Sequence, residues 1–202
     1  MASQSQLEEY GIFTREDFLP SSLCNHLCRA IDAAPLKSGA LWSAEKGPYF
    51  EDQLKRRKEF SCIATDHPDV HQRIFGIADN LTEYFGLRPT ALQPLKFTRY
   101  DVGDFYKPHR DLVDNDEAAQ EINARKIAVT LFLNQQGDEP DEGDYCGGNL
   151  TFYGLINDPA WQSVGMPLDS EEGMLVAFRP DIIHEVTPVT RGTRYAITTW
   201  LE

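Results

Sequence analysis

The sequence has few cysteines and no long apolar run. Its four cysteines are Cys24, Cys28, Cys62 and Cys146. The first two are four residues apart and fit buried small side chains of a reducing compartment better than a disulfide framework. No stretch approaches the roughly 20 apolar residues of a membrane span, and the first six residues lack the basic and apolar regions of a secretory leader. We therefore expect a soluble cytoplasmic protein with no membrane partner.

Positive charge is also scarce, because 19 Lys and Arg residues stand against 32 Asp and Glu residues and give a net charge of -13. Binding to nucleic acid requires clustered Lys and Arg, so we expect no nucleic-acid partner. The only dense basic cluster is Lys55-Arg56-Arg57-Lys58. The simpler interpretation is a solvated turn or strand end. The alternative is that this cluster attracts an acidic segment of a substrate to the functional site.

The pattern of apolar residues predicts a single domain over residues 1–202, with helical support and a lid region in 1–94 and a β core in 95–202. Helical spacing predicts a first helix from Pro20 to Ala34, capped by Ser21 or Ser22. A second helix is predicted from Pro68 through Phe85, ending at Gly86. The aromatic and basic segment 47–60 precedes the core, and we place a lid over the site there as a hypothesis.

After Pro94 the chain consists of short apolar or alternating runs separated by Gly, Asp, Asn and Pro, which predicts an antiparallel β core. The predicted strands are Leu95–Tyr100, Lys126–Leu133, Asn149–Tyr153, Met174–Phe178, His184–Val189 and Arg194–Leu201. We expect the two predicted helices to pack against the sheet that these strands form.

Within this β-rich part, His109-x-Asp111 and the distant His184 form a possible metal site. Residues i and i+2 of a strand project to the same face, so His109 and Asp111 can reach one ion if His184 lies on a neighbouring strand. Two imidazoles and one carboxylate on one face of Fe(II) leave positions for a bidentate co-substrate and dioxygen. Taken singly, each histidine is more commonly a surface or core residue, as we expect of the three other histidines in the chain.

Arg194 follows His184 by ten residues and opens the last predicted strand. Alternation puts Arg194, Ala196, Thr198 and Trp200 on one face of that strand. A guanidinium inside a barrel requires an anion, and no acidic residue of the same strand is placed to provide one. We therefore predict that Arg194 binds the far carboxylate of 2-oxoglutarate. The alternative is an outward-facing arginine at the rim.

Together these elements resemble the prolyl 4-hydroxylase group of 2-oxoglutarate/Fe(II)-dependent dioxygenases. The matching segments are Tyr100–Asp111, Gly147–Phe152, Glu172-Gly173 and His184–Trp200, which follow in the expected order across roughly Leu95–Glu202. The resemblance implies a mainly β fold with flanking α-helices: a double-stranded β-helix (jelly roll, cupin-like) with N-terminal helices packed outside one sheet.

The resemblance also implies roles for individual residues. Its metal-binding and catalytic set is His109, Asp111 and His184, its co-substrate set is Arg194, Tyr100, Thr130 and Trp200, and Tyr106 is adjacent to the metal ligands or faces the substrate. The implied cofactor is Fe(II), with 2-oxoglutarate and O2 as co-substrates and ascorbate as a reductant.

Three positions bear on how far the resemblance extends. Arg194 stands where collagen-type prolyl hydroxylases have lysine, which places the chain nearer the oxygen-sensor and bacterial branches. Phe132 stands where sensor-like relatives tend to have a tyrosine, so a hydrogen bond to the co-substrate comes from another residue. Asp111 retains the carboxylate that halogenating members replace, which favours hydroxylation.

The expected activity is therefore 2-oxoglutarate- and O2-dependent hydroxylation of an unactivated C–H bond, with a prolyl residue of a protein or peptide as the leading substrate. A free amino acid or a small biosynthetic metabolite is the alternative. A non-oxidative metal-binding cupin, such as a zinc isomerase or hydrolase, would need the metal ligands but would have no use for Arg194. A silent binding module, with a partner at the acidic segment 135–145, is the remaining class.

Overall fold

The computed structural model describes residues 4–43, 47–62, 67–112, 120–137 and 144–202. Its helices are α1 (Gln4–Glu9), α2 (Ser21–Ala33), α3 (Pro68–Gly76), α4 (Ala78–Phe85) and α5 (Gln120–Asn123). Its strands are β1 (Ile12–Arg15), β2 (Lys37–Ser38), β3 (Leu41–Ser43), β4 (Gly47–Tyr49), β5 (Lys55–Arg56), β6 (Lys58–Cys62), β7 (Leu95–Tyr100), β8 (Phe105–His109), β9 (Ile127–Phe132), β10 (Tyr145–Gly147), β11 (Leu150–Tyr153), β12 (Met166–Pro167), β13 (Leu175–Phe178), β14 (Ile183–Val186), β15 (Val189–Gly192) and β16 (Arg194–Leu201). None of the helices in these ranges is long and apolar enough to cross a membrane.

Two antiparallel sheets form the core of the molecule. The larger has seven strands in the order β1-β13-β9-β16-β7-β6-β2, and the smaller has five in the order β12-β11-β14-β8-β5. Two further strand pairs, β3 with β4 and β10 with β15, lie beside them. This arrangement confirms the predicted double-stranded β-helix.

The outer face of the seven-stranded sheet is covered by α2, α3 and α4. Leu27, Ile74 and Leu81 of these helices are fully buried in one apolar cluster with Val129 of β9 and Ile197 of β16. Burial of each such side chain stabilises the fold by about 1.5–3 kcal/mol, so the helices hold this sheet in place. The prediction that helices pack outside one sheet is confirmed, and the inner face remains available for a site.

The boundaries of the helices differ from the predictions in two respects. Pro20 is the N-cap of α2 and makes no side-chain capping bond, so neither Ser21 nor Ser22 is the cap. The predicted second helix is two helices, because Ile77 leaves helical geometry and its amide bonds to carbonyls of the preceding turn. Gly76 just before this break has low helix propensity, which makes the interruption inexpensive. The end of α4 at Gly86, at φ 66, is as predicted.

The strand predictions also need correction. The segment 184–189 is two strands, since β14 ends at Val186 and Pro188, which has no amide hydrogen for a ladder, precedes β15. Residues 1–94 are more than helical support. Strands β1, β2 and β6 extend the seven-stranded sheet, and β5 pairs with β8 of the other sheet. These strands are short and several of their residues are charged, so the sequence pattern missed them.

Candidate active site

The two histidines of the predicted metal site lie on neighbouring strands. His109 of β8 and His184 of β14 are direct partners in the antiparallel register, and their ring centroids are 4.3 Å apart. Asp111 lies beyond the end of β8, in a bend, so the expectation that it shares a strand with His109 is wrong. Its amide donates to the carbonyl of Pro180 at 2.9 Å and its carbonyl accepts from Arg125 at 3.0 Å, which fixes the bend.

The bend directs the Asp111 carboxylate toward both imidazoles. Oδ1 of Asp111 is 3.6 Å from Nε2 of His109, and Oδ2 is 3.7 Å from Nε2 of His184. One ligand atom from each of the three residues lies within 4.8 Å of the others. Two nitrogen donors and one carboxylate oxygen converging in this way fit Fe(II) with open coordination positions.

The protonation of both imidazoles suits metal binding. Nδ1 of His109 donates to the carbonyl of Lys107 at 2.8 Å, and Nδ1 of His184 donates to the carbonyl of Ile182 at 3.0 Å. A carbonyl can only accept, so Nδ1 is protonated in each ring and Nε2 is the atom left to bind a metal. Burial, and then the neighbouring His184, lowers the pKa of His109 to about 3, which keeps that ring neutral.

The carboxylate of Asp111 is held by Trp200. The indole Nε1 donates to Oδ2 of Asp111 at 2.8 Å. Burial raises the pKa of Asp111, but the imidazoles of His184 and His109 and this indole hydrogen bond outweigh it and hold the pKa below its usual range. Trp200 therefore contacts a candidate metal ligand in addition to lining the cavity, which sequence reasoning did not anticipate.

Arg194 faces inward, as predicted, and is 2% exposed. Its Nε has no hydrogen-bond partner, and no ion pair in the described part of the chain includes it. Its Cζ lies 5.1 Å from the ring centroids of both Tyr100 and Phe132. Leaving a buried guanidinium without an anion is costly, so this position fits a carboxylate ligand.

Two residues for which the sequence predicted no role, Tyr145 and Gly148, shape the surroundings of Arg194. Tyr145 is fully buried and hydrogen-bonds to both Ser170 and Arg194. Gly148 has φ +61, and a Cβ there would lie 3.0 Å from Cδ of Arg194 and 2.9 Å from Cγ2 of Val189. Only glycine combines this backbone conformation with such a close approach.

The remaining predicted residues lie around the same space. Tyr100 is 1% exposed, and its hydroxyl accepts a hydrogen bond from Nη1 of Arg57 at 2.7 Å. Thr130 is buried and is in register with Thr198 on the neighbouring strand. The ring of Tyr106 stacks on His109, with centroids 3.5 Å apart and planes at 16°. The acidic residues that follow the first two ligands, Asp114, Asp116 and Glu117, lie outside the described residues.

One cavity of about 410 Å³ connects these groups, and its volume is ordinary for a small-molecule site. The three candidate ligands, Arg194, Tyr100, Thr130, Trp200 and Tyr106 all line it. Alternation divides the basic cluster: Lys55 and Arg57 are buried in the cavity wall, whereas the side chains of Arg56 and Lys58 are about half exposed. The interpretation of the whole cluster as a solvated turn or strand end is therefore wrong for Lys55 and Arg57.

Comparison with known proteins agrees with this geometry. The family model described as the 2OG-Fe(II) oxygenase superfamily matches residues 95–202, just over half of the chain. A PKHD-type hydroxylase of Xanthomonas axonopodis pv. citri is 31% identical over 190 residues, covering 92% of this chain and 76% of the relative. A PKHD-type hydroxylase of Xanthomonas campestris pv. campestris is 27% identical over 194 residues, with the same coverage.

Solved structures show the same fold. A Pseudomonas putida prolyl-4-hydroxylase superposes with a TM-score of 0.67 at 23% identity, covering 98% of this chain and 95% of that one. A Trichoplax adhaerens prolyl hydroxylase, in complex with a hypoxia inducible factor oxygen degradation domain peptide fragment, gives 0.70 at 22% identity, covering 98% and 86%. The predicted similarity to prolyl 4-hydroxylases is confirmed, and with the family match and the relative at 31% identity the chain belongs to the 2OG-Fe(II) oxygenase superfamily.

Proposed function

We propose that this oxygenase hydroxylates an unactivated C–H bond of a prolyl residue in a protein or peptide, with His109, Asp111 and His184 as the iron ligands. The observation that supports this assignment most strongly is the pairing of two features in one cavity. Three convergent metal donors line it, and so does the buried guanidinium of Arg194, which pairs with no acidic side chain of the described residues.

When bound at the three ligands, Fe(II) supplies C–H oxidation with O2 and 2-oxoglutarate, and the co-substrate leaves as succinate and CO2. Arg194 binds the distal carboxylate of 2-oxoglutarate, and Tyr100 donates its hydroxyl proton to the co-substrate. Trp200 orients the Asp111 carboxylate, and the backbone carbonyls of Lys107 and Ile182 fix the two imidazoles. The buried walls of the cavity limit access of water to the reacting groups.

The prolyl substrate is supported by similarity. The Pseudomonas putida neighbour is called a prolyl-4-hydroxylase, and the Trichoplax adhaerens neighbour is a prolyl hydroxylase with a bound peptide fragment. A free amino acid or a small metabolite is the alternative substrate class for the same reaction.

The buried position of Arg194 argues against the non-oxidative alternative. A zinc isomerase or hydrolase would use the imidazoles and the aspartate, but it would bury an unneutralised guanidinium without benefit. Substrate-stimulated conversion of 2-oxoglutarate to succinate separates an oxygenase from this class and from a silent binding module.

An anaerobic titration with Fe(II) and 2-oxoglutarate tests the proposal. The wild-type protein should develop the weak visible charge-transfer band of a chelated keto acid. Arg194→Ala should raise the Kd for 2-oxoglutarate at least about tenfold, since a charge-assisted hydrogen bond is lost. Arg29→Ala, which removes an exposed guanidinium on α2, should leave the Kd unchanged. Absence of the band in the wild type would contradict the enzymatic proposal, and an unaltered Kd in Arg194→Ala would remove that residue from its role.

A further inference from the structure

A buried tyrosine contacts the guanidinium of Arg194. Tyr145 opens β10 and is in register with Gly192, two residues before Arg194. Tyr145 is 0% exposed and Arg194 is 2% exposed, and their side chains are hydrogen-bonded to each other. The other partner of the Tyr145 hydroxyl is Oγ of Ser170, at 2.8 Å. Since Ser170 is also buried, solvent does not compete for these contacts.

The hydrogen bonds continue from Ser170 to Gln136. Oγ of Ser170 donates to Oε1 of Gln136 at 2.7 Å, and Nε2 of Gln136 donates to the carbonyl of Gly147 at 3.2 Å. A carbonyl can only accept, so the bond to Gly147 establishes which end of the Gln136 amide is Nε2. The other end, Oε1, must therefore accept the proton of Ser170.

Counting protons gives this series of hydrogen bonds a single direction. A serine hydroxyl has one proton, and that of Ser170 is donated to Gln136, so in the pair of Tyr145 with Ser170 the tyrosine is the donor. The one proton of Tyr145 is therefore directed to Ser170. Its hydroxyl oxygen is left to accept from Arg194, since a guanidinium can only donate. Each bond polarises the next, which strengthens the acceptor that Tyr145 presents to Arg194.

Tyr145 is a neutral partner for the guanidinium. Burial raises the pKa of Tyr145 and outweighs the opposing effect of Arg194, so the phenol keeps its proton at neutral pH. A carboxylate at this position would form a buried ion pair with Arg194 and would oppose the binding of a second anion. A neutral acceptor orients the guanidinium and leaves its positive charge for a ligand.

The other neighbours of Arg194 limit its position but not its rotation. The ring centroids of Tyr100 and Phe132 lie 5.1 Å from its Cζ. A Cβ on Gly148 would lie 3.0 Å from Cδ of Arg194 and 3.5 Å from Cε2 of Tyr145, so the backbone packs closely against both side chains. Ring faces attract a guanidinium without selecting the direction of its N–H groups, whereas a hydroxyl acceptor selects it.

We propose that Tyr145 is a positioning residue that acts through Arg194 and makes the site prefer a 2-oxo acid with a distal carboxylate over one without it. Ser170 and Gln136 support this role by fixing the direction of the Tyr145 proton. The inference rests on the proposed function and names a residue that determines the selectivity of the same site for its co-substrate.

Anaerobic titrations with Fe(II) test the inference with two acids. 2-Oxopentanoate has the same chain length and keto acid group as 2-oxoglutarate but ends in a methyl group. The ratio of its Kd to the Kd for 2-oxoglutarate measures what the distal carboxylate contributes to binding. Tyr145→Phe should lower this ratio about fivefold, because one hydrogen bond that orients a charged group is lost. The Kd for 2-oxopentanoate should not change, whereas general damage to the site would weaken the binding of both acids.

A double-mutant cycle tests whether Tyr145 acts through Arg194. In the Arg194→Ala background, Tyr145→Phe should have no further effect on the ratio. An equal fall in that background would show that Tyr145 acts on the co-substrate by another route and would overturn the inference. Tyr195→Phe is the matched control, since the Tyr195 hydroxyl donates to Asp32 at 2.8 Å outside the cavity, and it should keep the wild-type ratio.

Ser170→Ala provides a second variant that leaves the Tyr145 ring in place. It removes the acceptor of the Tyr145 proton, so the hydroxyl loses its fixed direction and the ratio should again fall. If Tyr145→Phe does not fold, Ser170→Ala decides, and a wild-type ratio in that variant would overturn the inference.

The same experiments separate this inference from the proposed function. A normal wild-type band with an unchanged ratio in Tyr145→Phe would reject the inference alone. If the wild type gives no band, glutarate, a dicarboxylate without a keto group, is titrated into metal-free protein by calorimetry. Glutarate binding that is weaker in Tyr145→Phe but not in Tyr195→Phe would then reject the proposed function and retain the role of Tyr145. No band together with equal or absent glutarate binding would reject both.

Discussion

The hydroxyl oxygen of Tyr100 accepts a hydrogen bond from Arg57, so the hydroxyl proton is left to donate to another group. Arg57 donates to the Tyr100 hydroxyl oxygen at 2.7 Å, and Glu59 in turn accepts from Nε of Arg57 at 2.7 Å. A phenol that accepts at its oxygen still has its own proton to donate, and Tyr100 lines the cavity that also contains Arg194. Arg57 and Glu59 therefore act as positioning residues for a donor to the co-substrate.

Tyr100→Phe should raise the Kd for 2-oxoglutarate about tenfold in the anaerobic titration, because one hydrogen bond to an anion is lost. Its Fe(II) affinity and its circular dichroism spectrum should not change. Tyr153→Phe is the matched control, since the Tyr153 hydroxyl bonds to Glu185 outside the cavity. Equal 2-oxoglutarate affinities in all three proteins would contradict the role of Tyr100.

Glu59 should make the stability of the protein depend on pH. Burial raises its pKa, but Arg57 and Lys55 outweigh this and lower the pKa from 4.5 to about 2. A carboxyl whose folded-state pKa is depressed stabilises the fold above its unfolded value, and this contribution is lost as the pH falls from about 4.5 to about 2. Glu59→Gln should therefore cost about 3 kcal/mol of unfolding free energy at pH 7, since it leaves two buried cations unpaired.

Urea titrations of wild type and Glu59→Gln at several pH values measure this effect. The difference in unfolding free energy should be largest at neutral pH and should shrink toward pH 2. A difference that stays constant between pH 7 and pH 2 would show that the Glu59 charge does not contribute.

Among the secondary structure elements, β7 and β16 have the bounds that the sequence predicts. Both strands are rich in aromatic and β-branched residues, a signal that each strand carries on its own. The contributions of β1, β5 and β6 could not be predicted, because these short strands are defined by the partners with which they pair. The inward direction of Lys55 and Arg57 follows from the pairing of β5 with β8, although the spacing of Lys55, Arg57 and Glu59 at i, i+2 and i+4 was a usable indication.

In the candidate site, too, some features could be predicted from a local sequence pattern and others depend on distant partners. The metal ligands and Arg194 could be predicted because their chemistry and spacing are specific. The contacts of Arg125 and Tyr145 could not, since they depend on which segments lie opposite. The bend at Asp111 also depends on a distant carbonyl, that of Pro180, which no local pattern reveals.

Considering the molecule as a whole, we propose that residues 1–202 form a single domain. Strands β1 and β6 from the first 94 residues belong to the same seven-stranded sheet as β7, β9, β13 and β16. Helix α2 packs on that sheet through side chains such as Leu27, which is fully buried. Loss of packing at α2 should therefore destabilise the whole chain.

Leu27→Ala should lower the unfolding free energy by about 3 kcal/mol, because a cavity forms in the core between helices and sheet. Ser22→Ala, an exposed change on the same helix, should have little effect. Denaturant unfolding should show one transition by far-ultraviolet circular dichroism and by tryptophan fluorescence, and both should shift together in Leu27→Ala. Separate transitions for the two probes would contradict a single domain.

Strand β16 contributes to both the cavity and the apolar core, which limits how this enzyme can be redesigned. One face of the strand presents Arg194 and Trp200 to the cavity, and the other buries Ile197 and Leu201 under the helices. A shift of register by one residue would exchange these faces. A laboratory evolution programme seeking new substrates would therefore do better to diversify cavity residues of other elements, such as Leu41 and Ser61, and to leave β16 unchanged.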